Sequence, residues 1–294
     1  MRKRPGFGSL LIIGGHEDKD GDKIILRMLV KKVGKSGKLV IATIASTEPN
    51  AIFNEYERCL RGLGMRHIHQ LTIESRDEAR LDSRLRILND ADAVFFTGGD
   101  QLKITSQIGD TPLYSRIRQI FDAGGLIAGS SAGASVMSET MMVSGNSGES
   151  YRIGSLLQLA PGLGLLPGVI VDQHFAERGR MGRLLGAIAQ NPRMLGIGLD
   201  EDSAILVQRG RFLVLGTTAV HIIDGSKVSF TNITEAEPET ALCIYGVRLH
   251  VTHQSDTFDL RTRRPLYHPH QEVREMLGLE EKTSRSRRKE RQPA

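Results

Sequence analysis

The stretch from Gly124 to Ser138, GGLIAGSSAGASVMS, constrains the chain more than any other. Leu126, Ile127 and Ala128 read as the end of a buried strand, and the small residues Ala132, Gly133, Ala134 and Ser135 as a helix that starts at once. Between them, Gly129-Ser130-Ser131-Ala132-Gly133 fits G-x-S-x-G. Small residues at those positions permit a tight strand-to-helix turn that pushes one serine hydroxyl out at the strand's end, a nucleophile elbow. A helix N-terminus behind that serine favours developing negative charge. Ser131 is therefore the candidate nucleophile. The competing reading is a Gly/Ala-rich turn whose small residues only let a helix approach a sheet.

Such a turn belongs in a sheet of parallel strands, and the flanking sequence supplies them. Apolar runs at 9–13 (SLLII), 38–45 (KLVIATIA), 67–73 (HIHQLTI), 93–97 (AVFFT), 168–171 (GVIV) and 195–199 (LGIGL) read as strands. Helical spacing fills 22–33, 48–63, 76–90, the stretch from 101 to Phe121, and the chain from Arg180 onward. Strands with continuous apolar interiors that alternate with helices argue for a mostly parallel sheet covered on both faces. From 204 to 252 the runs shorten and alternate, which predicts antiparallel strands completing the same domain. No linker interrupts the pattern before residue 280, so one α/β domain is expected over 1–279 with a basic tail at 280–294.

The net charge of +5 sits in that tail, where six Lys or Arg face one Glu from Lys282 onward. With no apolar periodicity the tail is expected to be disordered and solvated. The rest of the chain is charge-balanced, so the fold gives no reason to expect a nucleic-acid partner. No apolar run reaches the roughly 18 residues of a membrane span, and none suits a signal peptide. Cys59 and Cys243 form no close pair and fit free thiols in a reducing cytoplasm.

In parallel sheets ligands bind beyond the carboxyl ends of the strands. Four polar clusters lie at such ends: 98–101, 129–133, 172–174 and 200–202. A serine needs a base, an acid to orient that base, and donors for the oxyanion. Alone among nine histidines, His174 ends such a strand after the serine. Glu201 is the expected orienting acid, with Glu149 as the substitute. The backbone N–H groups of Ala132 and Gly99 are the expected oxyanion donors. Each residue also has an ordinary reading: a bonded core histidine, a helix cap, a glycine turn. Their joint position at one edge favours the chemical reading. His67-x-His69 lacks a third ligand and His268-x-His270 is weaker, so no metal is expected. Gly98-Gly99-Asp100 lacks the further glycine and the lysine of a phosphate loop, and no cofactor is expected.

Taken in order, Gly14-Gly15-His16-Glu17-Asp18-Lys19, Thr97-Gly98-Gly99-Asp100-Gln101, Gly129-Ser130-Ser131-Ala132-Gly133-Ala134, Asp172-Gln173-His174-Phe175 and Asp200-Glu201 resemble the cyanophycinases. These belong to the serine peptidase family that also contains the aspartyl dipeptidase peptidase E. The resemblance covers most of 9–270. It implies a three-layer α/β/α sandwich of the class I glutamine-amidotransferase type, a homodimer, and a serine exopeptidase. The implied substrate is cyanophycin, polyaspartate with arginine amide-linked to its side chains, cleaved to β-Asp-Arg dipeptides. It implies Ser131 as nucleophile acting on the β-linked peptide carbonyl, His174 as base and Glu201 as its partner. Gln101, Asp172, Gln173, Arg178, Arg180 and Arg183 are similar to the substrate pocket. The arginines suit the substrate's carboxylates, and Asp172 suits its guanidinium. An α-aspartyl dipeptidase, or a binding protein of this fold without catalysis, are the alternatives.

Overall fold

Alternate residues of the central strands point to opposite faces, and in this chain both faces are apolar. The computed structural model describes residues 8–144, 157–234 and 240–266. Glu149, His268, His270 and the tail at 280–294 lie outside these residues. The chain runs β1 (Ser9–Ile13), α1 (Ile24–Val33), β2 (Lys38–Ala42), α2 (Pro49–Gly62), β3 (His67–Leu71), a 3-10 turn (Asp77–Arg80) and α3 (Asp82–Ile87). It continues through β4 (Ala93–Phe96), α4 (Gln101–Ile108), α5 (Pro112–Asp122), β5 (Leu126–Ser130), α6 (Ala132–Ser135), β6 (Thr140–Ser144) and β7 (Gln158–Pro161). There follow β8 (Val169–Gln173), α7 (Met181–Gln190), β9 (Leu195–Leu199), β10 (Ser203–Gln208), β11 (Arg211–Gly216) and β12 (Val220–Asp224). The last elements are β13 (Phe230–Thr231), β14 (Ile244–Tyr245), β15 (Arg248–Thr252), β16 (Thr257–Asp259) and β17 (Arg264–Pro265).

The fold is mixed α/β, built on a nine-stranded sheet ordered β17-β16-β11-β10-β1-β5-β4-β2-β3. From β1 to β3 neighbouring strands are parallel; from β1 to β17 they are antiparallel. Leu11, Ile13, Ile41, Phe95 and Ala128 pack on one face against Leu26 and Leu29 of α1 and Leu60 of α2. Leu10, Ile12, Val40, Phe96 and Ile127 pack on the other against Ile104 of α4 and Ile117 of α5, and against strands of a second sheet.

That second sheet, β15-β12-β9-β8, revises the single sheet expected from the sequence. Its β8 and β9 are parallel, but neither pairs with the nine-stranded sheet. Ile170 and Ile223 on its outer side pack against Leu184, Ala187 and Ile188 of α7. An all-apolar strand such as LGIGL records its burial but not its hydrogen-bonding partner. The helix expected through 101–121 is two, separated at Gly109, and that at 76–90 is a 3-10 turn followed by a short α-helix. Behind Ser131 the helix is a single turn, because Ser138 already bridges to Leu166 and β6 starts at Thr140. The expected macrodipole shrinks to the local N–H groups of that turn.

Candidate active site

The loop after β1 organises the site through its backbone carbonyls. Ile13 O accepts the N–H of Ser131 at 3.1 Å, Gly14 O that of His174 at 2.9 Å, and Gly15 O that of Asp202 at 2.9 Å. One loop thus ties the ends of β5, β8 and β9 together across the seam between the two sheets. The approach leaves no room for side chains: a Cβ on Gly14 would lie 2.0 Å from Asp200 O, and one on Gly15, with φ +109°, 2.4 Å from His174 Cε1.

Ser131 follows β5, whose Ser130 pairs with Ile13. Its backbone is at φ 55°, ψ −113°, a conformation an L-residue adopts only under constraint from its surroundings. Its Oγ lies 2.8 Å from His174 Nε2 and donates more weakly to Gln173 Oε1 at 3.5 Å. His174 Nδ1 lies 2.6 Å from Glu201 Oε1. His174 is buried, and burial holds its imidazole below the ordinary value of 6.5 despite the opposing hydrogen bond from Glu201. The nearby Arg178 charge adds to the lowering. For Glu201, burial pushes the carboxyl up, but hydrogen bonds from His174 and His16 outweigh it and leave it below the usual range. A neutral imidazole on a serine hydroxyl, backed by an ionised carboxylate, can take the hydroxyl proton at neutral pH.

The structure brings Ser131, His174, Glu201 and Gln173 together. Gly98 joins them, since a Cβ there would lie 3.4 Å from Ser131 Cβ. Among the described residues the N–H groups of Gly99 and Ala132 have no acceptor. Gln101 sits at the start of α4, its amide nitrogen donating to Met142 O at 3.0 Å and Val143 O at 3.3 Å, which leaves its Oε1 as the other polar atom. Arg178 is exposed beside His174.

Asp172 lies beneath the pocket arginines. It is 1% exposed, and its Oδ2 accepts Arg183 Nε at 2.7 Å while its Oδ1 accepts Arg183 Nη2 and Arg180 Nη1. Both oxygens thus hold the two arginines. Arg180 also donates to Gln173 O, and its buried Nε has no partner among the described residues.

Two residues at the site have no role in the sequence reading. His16 places its Nδ1 2.9 Å from Glu201 Oε2, so the carboxylate bridges two imidazoles. Glu17, 3% exposed, accepts Tyr56 OH at 2.5 Å and Ser130 Oγ at 2.7 Å, directly behind the turn that carries Ser131. His16 and Glu17 stand in a motif that carries the family resemblance, and the pair of glycines before them marks a close backbone approach but not what approaches. His67 and His69 project from one face of β3 and gather no third ligand among the described residues. An apolar cavity of about 680 Å³, lined by Leu10, Phe121, Leu166, Val207 and Leu260, lies by the amino end of β1, whereas the serine lies past its carboxyl end.

A serine hydroxyl on an imidazole at the edge of a mixed α/β sheet is the arrangement of a serine-type hydrolase. The chain belongs to peptidase family S51, whose family model matches residues 10–215, and it is a serine-type peptidase. It is 37% identical over 260 residues to a cyanophycinase from Synechococcus elongatus, covering 87% of this chain and 80% of that one. It is 40% identical over 265 residues to a cyanophycinase from Trichormus variabilis, covering 88% and 89%. The crystal structure of a peptidase from an acI-B1 Actinobacterium has the same fold, with a TM-score of 0.64 at 21% identity over 87% of this chain and 98% of that one. No helix among the described residues is long and apolar enough to cross a membrane.

Proposed function

We propose that the chain is a serine exopeptidase that degrades cyanophycin to β-Asp-Arg, with Ser131 as nucleophile, His174 as general base and Glu201 as its orienting acid. The observation that carries this reading is the 2.8 Å contact of Ser131 Oγ with His174 Nε2, backed by Glu201 at 2.6 Å. The likeness to cyanophycinases supports cyanophycin as the substrate. Within the reading, the serine is carried on a nucleophile elbow and the fold is a three-layer sandwich of the glutamine-amidotransferase type, working as a cytoplasmic homodimer.

Release of β-Asp-Arg leaves the side-chain amide intact, so the bond cut is the main-chain amide between successive aspartates rather than the β-linked amide. Ser131 Oγ attacks that carbonyl while its proton passes to His174 Nε2. The oxyanion turns toward the N–H groups of Gly99 and Ala132. His174 returns the proton to the departing amine, and water then repeats the sequence in reverse to free the dipeptide. Arg178, Arg180 and Arg183 supply positive charge for the substrate's carboxylates, with Gln101 and Gln173 as polar contacts. Asp172 serves by fixing two of the arginines.

The test is incubation of the purified protein with insoluble cyanophycin, Ser131→Ala alongside, with dipeptides read by mass spectrometry. β-Asp-Arg from the unmutated chain alone supports both substrate and nucleophile. Failure on the polymer with turnover of α-aspartyl dipeptides moves the substrate to the peptidase E type. Polymer binding without turnover by either protein marks a binding protein, and turnover by Ser131→Ala overturns the mechanism.

A further inference from the structure

His16 is superfluous to the proton transfer just described, yet it completes a constellation of its own. His16, His174 and Glu201 each offer a ligand atom within 4.8 Å of the other two, and they form the one such three-residue group among the described residues. Glu201 stands between the rings, Oε1 toward His174 Nδ1 and Oε2 toward His16 Nδ1. The rings meet edge to face with centroids 5.1 Å apart.

We propose that this group is a binding site for a borderline transition-metal cation, zinc, and that occupancy reversibly silences the serine. Two imidazoles and a carboxylate are a donor set that zinc accepts, with bonds of about 2.0–2.1 Å and a fourth position left for water. Ligand atoms of a zinc tetrahedron stand roughly 3.4 Å apart, so the two imidazoles, whose ligand atoms lie within 4.8 Å of each other, must draw together while the carboxylate contacts of 2.6 and 2.9 Å open slightly. The members of the group differ in freedom. The His174 side chain is 4% exposed and fixed, whereas those of Glu201 and His16 are 27% and 73% exposed and free to swing inward. His16 also gives the ion a route from solvent.

Silencing follows whichever nitrogen of His174 the ion takes. A metal on Nε2 occupies the atom that receives the serine proton. A metal on Nδ1 leaves the ring's single proton on Nε2, which then has no lone pair to offer. In both cases Glu201 is drawn from orienting the base to holding the ion. Hard cations such as Mg2+, which prefer an all-oxygen shell, gain little from two imidazoles. The silencing rests on the proposed catalytic roles; zinc binding itself does not.

The experiment uses the full chain stripped with chelator and desalted. Zinc is titrated against a chromophoric chelator, and Ser131 is labelled in parallel with a fluorophosphonate followed by intact mass. One zinc per chain is expected, with labelling slowed about tenfold or more at saturation, restored by EDTA and unaffected by Mg2+. His16→Asn keeps a residue tolerant of the observed φ of 47°. Because it removes a direct ligand, it should weaken zinc by at least the roughly 10–100-fold that loss of an outer-shell partner costs. Absence of zinc binding by the unmutated chain overturns the site, as does equal binding by His16→Asn. Zinc bound with labelling unchanged overturns the switch. A serine that resists the probe without metal, in a chain that still binds one zinc through His16, breaks the catalytic reading and leaves the metal site standing.

Discussion

Gly15→Ala tests whether the close approach of the β1 loop sets the catalytic geometry. The added methyl would lie 2.4 Å from His174 Cε1 and 2.7 Å from Nε2. Carbon contacts become favourable only at about 3.5 Å, so the ring must retreat by about an ångström. The loop cannot yield instead without breaking the bond from Asp202 N to Gly15 O at 2.9 Å. Moving Nε2 by that distance stretches its 2.8 Å contact with Ser131 Oγ beyond hydrogen-bonding range. A misplacement of this size costs about 100-fold, or ~2.7 kcal/mol in the barrier. Gly15 also has φ +109°, which strains any L-residue. Gly34 supplies the control, with φ +81° and nothing within 4 Å of an added Cβ. Gly34→Ala should lose about 1 kcal/mol of stability from strain alone and keep kcat/KM. The assay is kcat/KM for dipeptide release by both variants, with thermal melting to confirm folding. A folded Gly15→Ala that keeps kcat/KM within about threefold, under ~0.7 kcal/mol, refutes the reasoning.

Because His174 must be neutral to accept a proton and burial lowers its value below 6.5, the acid limb of kcat/KM should fall below pH 6.5, with activity lost as pH drops through it. Glu201→Gln removes the interaction that raises the imidazole, so the surviving activity should show a limb at still lower pH; a limb shifted upward contradicts the assignment. Burial, and next the charge of Glu17, hold the Tyr56 phenol well above its usual range, so it donates to Glu17 at every working pH. Tyr56→Phe should cost about 1–3 kcal/mol, read as a lower midpoint in urea; an unchanged midpoint removes the buried network from the stability account. Asp172→Asn removes the buried carboxylate charge to which Arg180 and Arg183, each 8% exposed, both donate. It should cost about 3–5 kcal/mol, a drop of several degrees or more in Tm, and a variant melting with the unmutated chain would show that the arginines find other partners.

What the sequence by itself determined is local. SLLII and LGIGL announce strands because every position is apolar, and the structure returns both with the expected bounds. GSSAG announces the turn because only small residues permit it, and Ser131 stands there at positive φ. The strand-end rule also singled out His174 and Glu201 as candidates, since polar residues that interrupt apolar runs need polar partners or solvent. What only the tertiary structure decided is pairing. Nothing in GVIV or LGIGL says that β8 and β9 leave the main sheet for one of their own, because the partner of a buried strand is set by distant chain. The same holds for charge: Asp172 faces Arg180 and Arg183, and Glu201 faces two histidines. Ion pairs and hydrogen bonds depend on separations of a few ångströms between residues far apart in the chain, and local sequence carries no record of those separations.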